Sequence, residues 1–212
     1  GKAKAAVEGF EMAALEKAAA ETKEETGISF EFAAEGTVTE ITATGIGAHA
    51  STPDVGNNAL TGLLVFLGKL DFASCPQVDM VRKTASLFPH GDVNGKTLGV
   101  AMEDELSGNL TLSFNMLSVD AASMDGEFDG RIPVCGNDEN VLEVVRARMA
   151  EQGLTLLNKA LIPPHHVSAD SYFVKTLLAA FELYTGRKGE CQALGGGTYV
   201  HHLENGVAFG AA

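Results

Sequence analysis

Four groups of side chains carry chemistry by type and spacing. His49 lies in Gly-Ile-Gly-Ala-His-Ala-Ser-Thr-Pro-Asp-Val-Gly-Asn-Asn-Ala, residues 45–59, where an alternating strand ends and a proline turn begins. A histidine at an element edge can be aimed at a ligand by a rigid scaffold. Without its neighbours it reads as a hydrogen-bonded histidine at a strand end. Arg131 ends a predicted strand in Asp129-Gly130-Arg131-Ile132-Pro133. Its planar guanidinium can grip a carboxylate with two parallel hydrogen bonds, although a plain exposed arginine on a sheet has the same local sequence. Gly195, Gly196, Gly197 and Thr198 follow an apolar strand and precede a predicted short helix. Glycines let backbone N–H groups approach an anion, and a helix N-terminus adds partial positive charge. Their spacing fits neither a P-loop nor a dinucleotide fingerprint, so by itself the loop is a tight turn. Finally, His165-His166 and His201-His202 are adjacent pairs. Neighbouring side chains on an extended chain point apart, so neither pair is expected to chelate a metal.

The elements that must position these groups are legible as periodicities. Lys2 to Glu8 reads as a strand and Phe10 to Thr26 as an Ala-, Glu- and Lys-rich helix stopped by Gly27. Alternation over Ile28–Phe32 and Val38–Ala43 gives a hairpin that runs toward His49. Asn57 or Asn58 caps a helix reaching Leu70, with Leu60, Leu63, Leu64, Leu67 and Leu70 as its stripe. Val78–Leu87 is a second helix. Residues 89–109 are irregular, with His90 in a loop and Glu103 to Glu105 as a solvated run. Leu110–Val119 and Ser123–Val134 read as paired strands, and Asn137–Gln152 as an amphipathic helix whose Asp138 and Glu139 favour its N-terminal dipole. A strand is expected from Leu154 to Leu157. The strand–helix–strand order at 2–33 is echoed at 123–160 without clear sequence identity.

Pro163-Pro164 marks a hinge. Beyond it the pattern becomes helix (Ser171–Tyr184), strand (Glu190–Leu194), glycine loop, short helix and strand (Val207–Phe209). The expected fold is therefore α+β. Residues 1–162 form antiparallel sheet with helices on one face, and residues 163–212 form a small β/α piece.

Composition narrows the function. The chain has 212 residues, 45% hydrophobic and 20% charged, which suits one or two packed domains. A net charge of −13 argues against nucleic acid or anionic membrane as partner, because both need a basic face. No apolar run is as long as a membrane span. Cys75, Cys135 and Cys191 are scattered, as reduced thiols of a cytoplasmic protein would be.

Residues 45–59 resemble the lid-domain signature of a zinc metallopeptidase family that includes PepV-like dipeptidases, carnosinases, aminoacylases and carboxypeptidase G. Gly195 to Tyr199, together with Asn205 to Gly210, resembles the substrate loop of PepV-like members, in the same order and at about the expected separation. The resemblance implies a ferredoxin-like lid, enlarged and pseudo-duplicated, that serves for dimerisation in some members. It implies hydrolysis of dipeptides or N-acyl amino acids, with two zinc ions activating a water and a glutamate as general base. It assigns His49 to the developing oxyanion, Arg131 to the substrate's C-terminal carboxylate or peptide oxygen, and Gly195 to Thr198 to the carboxylate. The family's ligands, a His-x-Asp pair, a bridging aspartate, a Glu-Glu pair, a further aspartate and a late histidine, have no counterpart here, since Glu24-Glu25 lies in a charged helix. The expectation is a lid plus a C-terminal slice of a dipeptidase, without metal ligands and inactive alone. A stand-alone oligomerisation or small-ligand module on the lid fold is the alternative, with self-association through exposed apolar surface.

Overall fold

The computed structural model describes residues 1–196 and 199–210. Strand β1 (Lys2–Glu8), helix α1 (Met12–Thr26), strand β2 (Ser29–Glu35) and strand β3 (Val38–Thr44) follow the periodicities closely. Gly27 ends α1 with φ +74°, and its N–H donates to the Lys23 carbonyl at 2.8 Å. A left-handed residue there favours glycine because a Cβ would clash. β1 and β2 both pair antiparallel with β3, in the order β1-β3-β2. They are thus parallel to each other, and α1 is the crossover between them.

Helix α2 (Ala59–Gly68) packs on the same face as α1, so the βαββα order matches a ferredoxin-like unit up to its last strand. Leu15 and Ala18 of α1, Val7, Ile41 and Ala43 of the sheet, and Leu63 and Phe66 of α2 form one core. Phe66 is fully buried, with its ring stacked on Phe30 at 4.7 Å.

The other side of α2 serves a second core. Leu64 belongs to it, packed with Leu87, Phe88, Leu98, Leu112, Phe114 and Val141, and Leu60 lies against it. A helix apolar nearly all round is buried on more than one side, and α2 is the shared spine of two cores. The second core is closed by α3 (Pro76–Leu87), the long hairpin of β6 (Thr111–Val119) and β7 (Met124–Arg131), and α4 (Glu143–Glu151), with a small hairpin of β4 (Glu103–Asp104) and β5 (Gly108–Asn109) preceding β6. A π-turn at Asp138–Leu142 leads into α4, capped by a reciprocal Asn137–Asn140 pair. Asn58 is the cap of α2: its Oδ1 accepts from Leu60 N and Thr61 N, and its Nδ2 donates to the Phe114 carbonyl at 2.8 Å.

The acidic run is not uniformly solvated. Asp104 is half-buried and accepts from the Leu106 and Ser107 amides, the Ser107 hydroxyl and the Cys135 amide. These donors, the Ser107 amide first, hold its carboxyl down at about 2, against an ordinary 3.8. Because the folded value is depressed, its stabilising effect is complete above the ordinary value and is lost as pH falls toward 2. Denaturation midpoints measured from pH 6 to pH 2 should therefore show a gap between wild type and Asp104→Asn that closes across that window. A gap that stays constant to pH 2 would rule the clamp out.

Beyond α4 the expectations fail in detail. Residues 154–157, 190–194 and 207–209 are not strands, and residues 199–205 form turns where a short helix was expected. A strand exists only with a partner edge, and among the described residues none is offered to these segments. The echo of residues 2–33 accordingly stops after strand and helix. After Pro163-Pro164 the regular structure is α5 (Tyr172–Thr185), capped by Ser171. Val174 is buried, whereas Tyr172, Leu183 and Tyr184 are 86%, 78% and 87% exposed. No described helix is long and apolar enough to cross a membrane.

Candidate functional site

His49 sits past the end of β3, in a loop rather than at the strand end. The loop is closed at its base by Ile46 and Asn57, which exchange both backbone hydrogen bonds at 2.9 and 2.8 Å. Gly45 is needed there, since a Cβ would collide with the Asn57 carbonyl oxygen. Asn57 Nδ2 donates to Thr26 O at 2.8 Å, which ties the base to the end of α1. At the tip, Thr52 N donates to His49 O at 2.9 Å, and the Thr111 hydroxyl donates to Ala50 O at 3.2 Å. The His49 ring is exposed. Its Nδ1 accepts from the Ser51 amide at 3.2 Å and lies 2.7 Å from the Ser51 hydroxyl.

Thr111 also places Arg131, because the two are cross-strand partners at the end of the β6–β7 ladder. Arg131 faces Asp129, two residues back on the same side of β7. Nη2 donates to Oδ2 at 3.0 Å. Nε approaches Oδ1 to 2.7 Å, but without the alignment of a hydrogen bond, so this contact is electrostatic. One edge of the fork is therefore occupied, and Nη1 is turned toward Gly196: a methyl group there would lie 3.8 Å from it. A methyl group at Gly195 would lie 3.2 Å from Ser51 Cβ. The His49 loop, the end of β7 and the glycine loop, three regions remote in sequence, thus meet at one place.

A cavity of about 1250 Å³ opens beside them. Arg131, Gly195 and Gly196 line it; His49 does not. Gly197 and Thr198 lie outside the described residues. With turns at 199–205, the expected helix dipole behind the glycine loop is absent among the described residues.

Two of the remaining histidines bond to the backbone. His165 Nε2 donates to Gly206 O at 2.7 Å, and His201 Nε2 to Pro163 O at 3.0 Å, stapling the hinge to the late turns. His90 is half-buried, its Nδ1 2.9 Å from the Thr61 hydroxyl, and burial pushes its titration down. Among the described residues, no group of three or more His, Cys, Asp or Glu could hold a metal ion.

Sequence reading missed Thr111, Ser51 and Asp129. Only Asp129 had a local signal, the two-residue spacing that puts it beside Arg131 on a strand.

An α+β chain with an anchored histidine loop facing an arginine and a glycine loop is the class defined so far. No protein-family model matches the chain. It is 34% identical over 173 residues, 81% of its length, to the Beta-Ala-Xaa dipeptidase of Lactobacillus delbrueckii subsp. lactis. It is 37% identical over 171 residues, 78% of its length, to a Bacillus subtilis (strain 168) protein named "Putative dipeptidase YtjP". The chain spans 36% and 35% of the length of these two relatives. It is thus homologous to a family of proteins named dipeptidases, in line with the PepV-like resemblance of residues 45–59 and 195–210.

Proposed function

We propose that the chain supplies the lid and the substrate-carboxylate site of a longer dipeptidase that hydrolyses dipeptides or N-acyl amino acids. The observation that supports this is the meeting of the His49 loop, Arg131 and Gly195–Gly196, three regions far apart in sequence that the family resemblance assigns to one substrate site. In this reading His49 donates to the substrate carbonyl oxygen as charge develops on it. Arg131 offers its Nη1 edge to the substrate carboxylate, while Asp129 holds the other edge and fixes the plane of the guanidinium. No group of side chains among the described residues fits a metal site, so in this reading the two zinc ions would be held by residues of the longer dipeptidase.

Arg131→Ala is the test. A carboxylate grip exists in the ground state as well as the transition state, so its loss raises KM more than it lowers kcat. A charge-assisted contact of this kind amounts to about 1.5–3 kcal/mol, or roughly a 10- to 150-fold rise in KM. Steady-state kinetics on a full-length dipeptidase carrying this segment will measure it. An unchanged KM would remove Arg131 from the site and favour the second reading, a ligand-binding or self-associating module. The observation behind that second reading is the exposed apolar face of α5, with Tyr172, Leu183 and Tyr184.

A further inference from the structure

We infer that Ser51 is a positioning residue for His49, holding its imidazole in the tautomer that carries the proton on Nε2. The inference rests on the reading of His49 as a hydrogen-bond donor to substrate. Two groups of Ser51 converge on one ring nitrogen. Its backbone amide lies 3.2 Å from Nδ1, aligned as a donor, and its hydroxyl lies 2.7 Å away. An amide N–H can only donate, so Nδ1 must present a lone pair. The hydroxyl can donate or accept, and against a lone pair it donates. A neutral imidazole has a single N–H, which is then on Nε2. The alternative tautomer would set the Nδ1 proton against the Ser51 amide proton and lose that hydrogen bond, with the hydroxyl turned to accept.

Ser51 is itself held. Thr52 N to His49 O closes the turn at 2.9 Å, and Thr111 anchors the carbonyl of Ala50 between the two residues. On the far side, the backbone at Gly195 abuts Ser51, leaving less than ordinary contact distance for any added side chain. A side chain at position 195 would therefore crowd the serine that selects the tautomer. Orientation of a histidine through one ring nitrogen so that the other meets the substrate is how catalytic histidines are generally poised. Here a hydroxyl and an amide do it, within a three-residue turn.

Nitrogen-15 NMR of histidine-labelled 212-residue chain reads the tautomer directly, with the His49 signals assigned by their loss in His49→Gln. At a pH above imidazole titration, His49 should show an unprotonated Nδ1 and a protonated Nε2. Ser51→Ala keeps the amide but loses the hydroxyl, so both nitrogens should move toward the averaged shifts of a free, exchanging imidazole. Ser51→Thr should restore the wild-type pattern. In a full-length dipeptidase carrying this segment, Ser51→Ala should lower kcat about 3- to 10-fold with KM unchanged, the range a single neutral hydrogen bond supplies. A proton on Nδ1 of His49 in the wild-type chain, or a Ser51→Ala spectrum identical to wild type, overturns the inference. A loss of the kinetic effect of His49 itself would instead remove the donor reading and leave the tautomer result standing, so the two failures are distinct.

Discussion

His49→Ala, in a full-length dipeptidase carrying this segment, is expected to lower kcat by about 10²–10³-fold with little change in KM, the loss typical of one oxyanion donor. The expectation comes from where the ring is and how it is held. The imidazole is exposed, so no packing is lost when it is removed. Its loop is fixed at three places: the Ile46–Asn57 bridge, Asn57 to Thr26, and Thr111 to Ala50. A donor held this way needs no reorganisation when charge develops, which is the condition under which such a contact acts in the transition state. Zinc content should be unchanged, because Nδ1 is engaged by Ser51 and no cluster of metal-ligating side chains surrounds His49 among the described residues. Kinetics and elemental analysis on the same preparation decide it. Intact kcat, or loss of metal, would return His49 to a structural role.

The parts of this molecule that were legible in sequence share one property: their cause is local. Alternation at 28–32 and 38–43 reflects a sheet with one face on a core, and the structure buries Thr39, Ile41 and Ala43 on that face. An asparagine cap at 57 or 58 was readable because capping involves the next three residues, and the structure makes it Asn58. His49 and Arg131 were singled out by the residues beside them. What could not be read depends on partners far along the chain. Nothing near Thr111 says that its hydroxyl will hold Ala50, and nothing near Ser51 says that Gly195 will lie close enough to leave no room for a side chain. Asp104 reads as solvated in a run of acids, yet the fold brings the Cys135 amide to it. The apolar runs at 190–194 and 207–209 show the converse error. Their composition is that of strands, but strand identity is conferred by a neighbouring edge, and none of the described segments supplies one.

Phe66→Ala should be the most destabilising single substitution on α2, and its effect should spread beyond the core that it empties. The side chain is fully buried, stacked on Phe30 at 4.7 Å and tilted against Phe32 at 6.1 Å. Removing such a ring costs about 3–5 kcal/mol, from lost transfer energy and the cavity left behind. That is a large fraction of the roughly 5–15 kcal/mol by which a domain is stable. The first core loses the contacts directly. The second core is tied to the same helix, through Leu64 in its interior and through Asn58, which holds Phe114 O on β6. With α2 shared, neither core can unfold without exposing a face of the other. Urea unfolding of Phe66→Ala should therefore remain a single transition at a lower midpoint, and amide exchange in β6 and β7 should quicken along with that in β1, β2 and β3. The same coupling reaches the site, because Asn57 and Asn58 join the base of the His49 loop to the start of α2. Tyr184→Ala on the exposed side of α5 is the control, since a substitution that removes no buried contact stays within about 0.5 kcal/mol. If β6 and β7 kept their protection while the first sheet lost its own, α2 would be a tether between two independent cores rather than their common spine.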